Sequence, residues 1–273
     1  MQKNLKNIKR VNRHKHENVF SFTVLIICVI FLLLPLFTII LFSFNESNQS
    51  VFTSFSLHWY KELFFNSRNL FQALANSLFI AITAGAASTF LGTLAAIGTG
   101  LNKQSKSTFV NLITFLPLVL PEVIVGISLV MFFSKISLSL NLFTIFLAHT
   151  TFCLPFVYLT VQSRMQGFDF TITEAARDLG ATERQTLTKI IIPTIAPSIY
   201  SGFILAITMS LEDFIITFFV SGPGSTTLPL YIFSLIRFGI TPVINALSFF
   251  IILTLSLSVL TMKRFVKILA SSR

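Results

Sequence analysis

Residues 174–193 read EAARDLGATERQTLTKIIIP, a polar stretch set between long apolar runs. Thr171 stands three residues before Glu174 and Thr182 three before Gln185, so each can close a capping box that starts a helix. Gly180 lies between them, where a left-handed glycine ends one helix cheaply and lets the next depart at an angle. The spacing predicts a short helix over about 172–179, a sharp bend, and a second helix from about Glu183 towards Pro193. Ala175 and Ala176 give the first helix a shallow, closely approachable face, with Arg177, Asp178 and Glu183 as its polar rim. Such an element is a docking surface for another protein rather than an active site.

The chain around it decides the class. Of 273 residues 53% are apolar and only 11% charged, against about 25% charged in soluble domains. So few charges do not cover a water-facing surface, whereas an outside that faces lipid needs none. Six apolar stretches reach the roughly 20 helical residues that a crossing takes: 19–44, 71–100, 108–133, 141–162, 194–220 and 242–262. The expectation is an all-α bundle of six transmembrane helices, residues 19–262, between a basic tail at 1–18 and another at 263–273. The polar stretch belongs to an excursion at 163–193 between the fourth and fifth crossings. The first apolar run is too long for a secretory signal and has no small-x-small cleavage site before Asn45, so it reads as an uncleaved anchor.

Basic residues orient the bundle. With both termini inside, sixteen of the twenty Lys and Arg fall on the cytoplasmic side, and only Lys61, Arg68, Lys135 and Arg237 on the other. The net charge of +10 is then mostly a topology signal and a poor argument for nucleic-acid binding. Cys28 and Cys153 lie inside spans with no ligand spacing, and read as packing residues.

The second crossing is rich in Ala, Gly and Ser between Ala81 and Gly98, as expected of an inner helix whose neighbours approach closely. Pro117 and Pro121 each remove a backbone donor from the third, which predicts a kink or local unwinding there. No catalytic constellation stands out: the four histidines are scattered, and Gly222-Pro223-Gly224-Ser225-Thr226 lacks the lysine of a phosphate loop. His149 reads as a hydrogen-bonded packing residue, because no carboxylate lies one turn away. Trp59 and Tyr60 read as interfacial aromatics or contacts for an external protein.

Three carboxylates do fall in apolar spans: Glu122, Glu212 and Asp213. Unpaired at midplane each costs about 2.5–3.5 kcal/mol, so they should face the bundle interior. At about 1.5 Å per residue, Glu212 lies roughly 22 Å along its helix from Pro197, in the outer half. The alternatives are a cation path, in which carboxylates and aromatic faces take ammonium groups, or a local role: pairing with Arg237, or capping a helix end.

The full pattern, EAA, three residues, Gly180, nine residues, Ile190, Ile191, Ile192, Pro193, resembles the EAA loop of binding-protein-dependent ABC importer permeases. It departs only in having Ile192 where that family has leucine. The stretches at 149–170, 210–224 and 228–247 are similar to the C-type permeases of spermidine/putrescine importers. The resemblance implies a type I importer permease, a non-catalytic subunit that pairs with a second, unlike permease. It further implies two copies of a cytoplasmic ATPase, which carry ATP and Mg in place of any cofactor on this chain, and an external substrate-binding protein. Residues Glu174, Ala175, Ala176, Arg177, Asp178, Gly180, Ala181 and Pro193 would then couple to the ATPase, and Glu122, Glu212 and Asp213 would line a polyamine path in a bacterial inner membrane. Competing readings are the same machine carrying another organic cation, a phosphonate or ferric iron, and an ion-gradient transporter that treats the EAA segment as an accident.

Overall fold

A computed structural model describes residues 2–47, 51–101, 106–238 and 242–271, with backbone alone for 2–19, 106–109, 111, 113, 238 and 258–271. Lys103 and Arg273, used in the charge argument, lie outside these. The described elements are helical: α1 (Gln2–Ser43), α2 (His58–Asn66), α3 (Arg68–Leu101), α4 (Lys106–Val119), α5 (Glu122–Lys135), α6 (Leu142–Gln166), α7 (Thr171–Asp178), α8 (Glu183–Thr186), a π-helical turn (Leu187–Ile191), α9 (Ile192–Glu212), α10 (Ile215–Val220), α11 (Leu228–Phe238) and α12 (Pro242–Ser271). Four continuous stretches among the described residues are long and apolar enough to cross a membrane: Phe20–Ser43, Arg68–Leu101, Leu142–Gln166 and Glu183–Glu212.

Two compact units divide the chain, residues 1–67 with 236–273, and residues 68–235. In the first, α1 and α2 pack on α12. Every side chain from Phe20 to Thr38 is exposed, as suits a helix whose solvent is hydrocarbon. Beyond α1, Asn45 organises the loop. Its amide donates to the Ser47 and Val51 carbonyls and accepts from the Thr53 N–H, and Trp59 Nε1 donates to its carbonyl at 2.7 Å. Phe44 stacks on Phe55, with ring centres 5.0 Å apart, and meets Phe249 edge-on.

In the second unit, α3 packs against both α6 and α9. Small residues permit this, as the sequence led one to expect. A Cβ on Gly92 would stand 3.0 Å from Val157, and one on Gly85 3.1 Å from Ile207. Lipid offers no hydrophobic drive to bring helices together, so such close van der Waals contact carries the association. The buried centre includes Ile80, Ala84, Ala96, Ile145, Val157, Tyr158, Ile195 and Ala206.

Two crossings are interrupted. The third breaks at Leu120–Pro121: Pro121, φ −56° and ψ 135°, caps α5, and its carbonyl accepts from Ile124 and Val125. Pro117 stays inside α4, so of the two prolines only Pro121 ends a helix. The fifth differs from the expected unbroken 194–220. It runs helically from Glu183, through the π turn, to Glu212, turns extended at Asp213 (ψ 119°) and resumes as α10. The elbow's second helix is thus continuous with a crossing, and no proline marks the later break. Helix α11, between the last two crossings, was not foreseen either.

Candidate functional site

The elbow forms much as its residues dictate, with one correction. Thr171 does not cap through a box with Glu174; it is the first residue of α7. Asp169 accepts from the Thr171 N–H at 3.0 Å and hydroxyl at 2.7 Å. A carboxylate two residues upstream is the stronger acceptor for an orphan first-turn donor. The hydroxyl bond foremost, and then the backbone bond, hold Asp169 below the usual carboxylate range. At the second helix the expected capping box is present: Thr182 Oγ1 accepts from Gln185 N, and Gln185 Oε1 from Thr182 N.

Between them the backbone closes a Schellman motif. Ala181 N donates to Ala176 O at 2.9 Å and Gly180 N to Arg177 O at 2.8 Å, with Gly180 at φ +86°. These bonds satisfy the carbonyls that end α7 and fix the bend. Arg177 and Glu183 face each other across it at 3.7 Å, both exposed, a pair that contributes little by itself. Glu174, Ala175 and Asp178 are exposed, Ala176 and Ala181 half-buried. Sequence reasoning missed Leu179, 90% exposed at the tip of the bend, and Ile172, 50% exposed. The signal was there, two apolar side chains in an otherwise polar stretch. Behind the elbow, Thr173, Glu174 and Arg177 share a cleft of about 800 Å³ with Ile97 and Leu101 of α3. Pro193 follows the π turn, where Ile192 N already bonds to Leu187 O. A residue without an N–H is tolerated where the regular ladder is already disturbed.

The three carboxylates of the apolar spans lie at the two breaks. Glu122 opens α5, Glu212 closes α9, and Asp213 sits in the second break. Helix α5 packs along α10 so tightly that a Cβ on Gly126 would meet the Phe219 ring at 2.7 Å, and Glu122 is within electrostatic reach of Asp213. Their surroundings differ. Glu122 and Glu212 are exposed on this chain, whereas Asp213 is buried. Its carboxylate accepts from the Ile216 and Thr217 N–H groups at 3.2 and 3.1 Å, and so takes up donors that the start of α10 would leave unsatisfied in hydrocarbon. His149 is hydrogen-bonded, as expected, to Ser210 and Thr217. A carboxylate that is remote in sequence nevertheless stands beside it, Asp213 at 3.6 Å.

The family described as "Binding-protein-dependent transport system inner membrane component" matches residues 88–273. The chain belongs to this family. It is 39% identical to the spermidine/putrescine transport system permease protein PotC of Haemophilus influenzae over 247 residues, 90% of this chain and 94% of that protein. It is 40% identical to the putrescine transport system permease protein PotI of Escherichia coli K12 over 82% of this chain and 83% of PotI. A chain of a solved bacterial ABC transporter that imports the acidic polysaccharide alginate shares the fold, with a TM-score of 0.68 at 16% identity over 91% of this chain and 96% of that one. The protein is therefore a permease subunit of the transporter class, a membrane component, helical in its described elements.

Proposed function

We propose that this chain is one of two unlike permeases of an ATP-driven importer and forms half of a path for polyamines such as spermidine and putrescine. A separate cytoplasmic ATPase, present twice and carrying ATP and Mg, grips the elbow formed by α7, Gly180 and α8. An external binding protein delivers the substrate, and both termini lie in the cytoplasm of a bacterial inner membrane. The relatives named above support the substrate class.

The observation that carries the reading is the pair of exposed carboxylates, Glu122 and Glu212, at neighbouring breaks in two crossings. Ionisable groups at membrane depth face a cavity or another chain, not lipid. Interrupted helices also turn their last, unpaired carbonyls towards the gap. Carboxylates and carbonyls together suit a chain of ammonium groups. Asp213 belongs to this acidic edge by position and holds α10 in place, while Glu122 and Glu212 meet the passing cation.

The test is uptake of labelled spermidine by the whole importer in ATP-loaded liposomes. Glu122→Gln with Glu212→Gln should lower uptake at least tenfold while the complex still assembles and hydrolyses ATP. Undiminished uptake by that variant removes the carboxylates from the path. Uptake without ATP, driven by an ion gradient, removes the ATPase.

A further inference from the structure

Helix α6 runs unbroken beside the interrupted fifth crossing and is bonded to it on both sides of the gap. Before the gap, Cys153 Sγ donates to Ala206 O at 3.5 Å. Beyond it, Thr144 Oγ1 donates to Val220 O at 2.8 Å. His149 stands between them, 1% exposed. Its Nδ1 lies 2.7 Å from Ser210 Oγ on α9, and its Nε2 2.8 Å from Thr217 Oγ1 on α10. It thus bonds side chains on both halves. One proton arrangement satisfies every group: Ser210 donates to Nδ1, Nε2–H donates to Thr217, and the Thr217 hydroxyl donates to Asp213 Oδ1, 3.4 Å away.

Geometry makes this bridge specific to the broken form. In an uninterrupted helix, residues seven apart lie on one face about 10.5 Å from each other. The ring nitrogens are about 2 Å apart, so with a hydrogen bond at each end one imidazole reaches at most about 8 Å between two hydroxyls. The Ser210 and Thr217 side chains would have to lean together along the axis to recover that difference, so a straight fifth crossing strains or gives up one of the two bonds. The Asp213 carboxylate, which bonds the N–H groups of Ile216 and Thr217, then loses its reason to sit at a helix start.

We propose that His149 is a positioning residue for transport: it clamps the break at Asp213–Phe214, so that straightening or re-bending the fifth crossing requires its release, and this ties movement of the outer half-helix to the rest of the cycle. An element with two discrete arrangements is what a transporter needs in order to switch. The proposal rests on the transport reading but not on the choice of substrate.

The experiment uses the whole importer in nanodiscs and compares wild type, His149→Leu and His149→Gln. The glutamine amide keeps a donor and an acceptor at similar reach. Hydrogen exchange of the segment 213–220 is expected to speed up at least tenfold in His149→Leu and to stay within threefold of wild type in His149→Gln. In liposomes, solute carried per ATP should fall at least fivefold in His149→Leu, with hydrolysis continuing, and recover in His149→Gln. If His149→Leu does not assemble, Ser210→Ala with Thr217→Val removes both bonds and leaves the ring; the same two changes are then expected. Unchanged exchange in His149→Leu, or in the Ser210 and Thr217 double variant where that replaces it, overturns the clamp, and so does a loss in His149→Gln as large as in His149→Leu. Failure of the wild type to carry polyamine would count against the substrate reading alone, because the exchange arm needs no substrate.

Discussion

Gly180 offers the cleanest single perturbation of the elbow. Its φ of +86° is left-handed, and a Cβ built there meets nothing within 4 Å. Substitution therefore causes no clash, and the cost is torsional alone: about 1–2 kcal/mol for an L-residue, at the upper end for a β-branched one. At 1.4 kcal/mol per factor of ten, Gly180→Val should lower the population of the bent elbow by roughly 5- to 30-fold. Asparagine tolerates the left-handed region better, so the order of retained function should be Gly, Asn, Ala, Val. The assay is binding of the ATPase to the permease pair in nanodiscs, with uptake per ATP measured in liposomes. Affinity and coupling should fall together along that series, while thermal stability of the crossings stays constant. If Val binds as tightly as Gly, or if Asn and Val are equally impaired, the bend is not what the partner reads.

Leu179→Asp places a charge on the most exposed apolar side chain of the elbow and should weaken ATPase binding at least tenfold with the fold intact, checked by co-purification. Thr182→Val removes a cap that bonds Gln185 N and should destabilise the start of α8 by about 1 kcal/mol, seen as faster hydrogen exchange over 182–187. Gly222→Ala would place a Cβ 1.8 Å from Leu140 O, a contact that backbone must move to relieve; expression of intact complex should drop sharply. Asp169 titrates below its ordinary range in the folded chain. Its cap on Thr171 is therefore fully present above the usual aspartate pKa, and is lost as pH falls through the depressed value. Exchange over 170–178, corrected for intrinsic rates, should rise on acidification, and Asp169→Asn should flatten that dependence.

The elbow was legible because its determinants are local. A cap at Thr182, a glycine at 180 and helix-forming residues on either side fix the backbone within a few positions, and each bond that closes the bend spans five residues or fewer. Asp169 was overlooked for the same kind of reason: two nearby acceptor schemes compete for the Thr171 donor, and sequence alone does not rank them. Pro117 and Pro121 both announced a disturbed third crossing, since a residue without an N–H leaves a gap in the ladder, but only the packing made Pro121 the break and left Pro117 inside α4.

Length, charge depletion and the distribution of Lys and Arg by themselves determined a helical membrane protein with an exposed polar elbow, because the cost of burying charge and unpaired backbone in hydrocarbon acts on every residue wherever it packs. Only tertiary structure decided the break at Asp213, the approach of Glu122 to Asp213, and the reach of His149 across the gap. Those depend on α5 and α6 meeting α9 and α10 across long stretches of sequence, some sixty residues between His149 and its partners. Ser210, Asp213 and Thr217 recur at helical spacing, but the imidazole that gives them meaning is supplied by another helix.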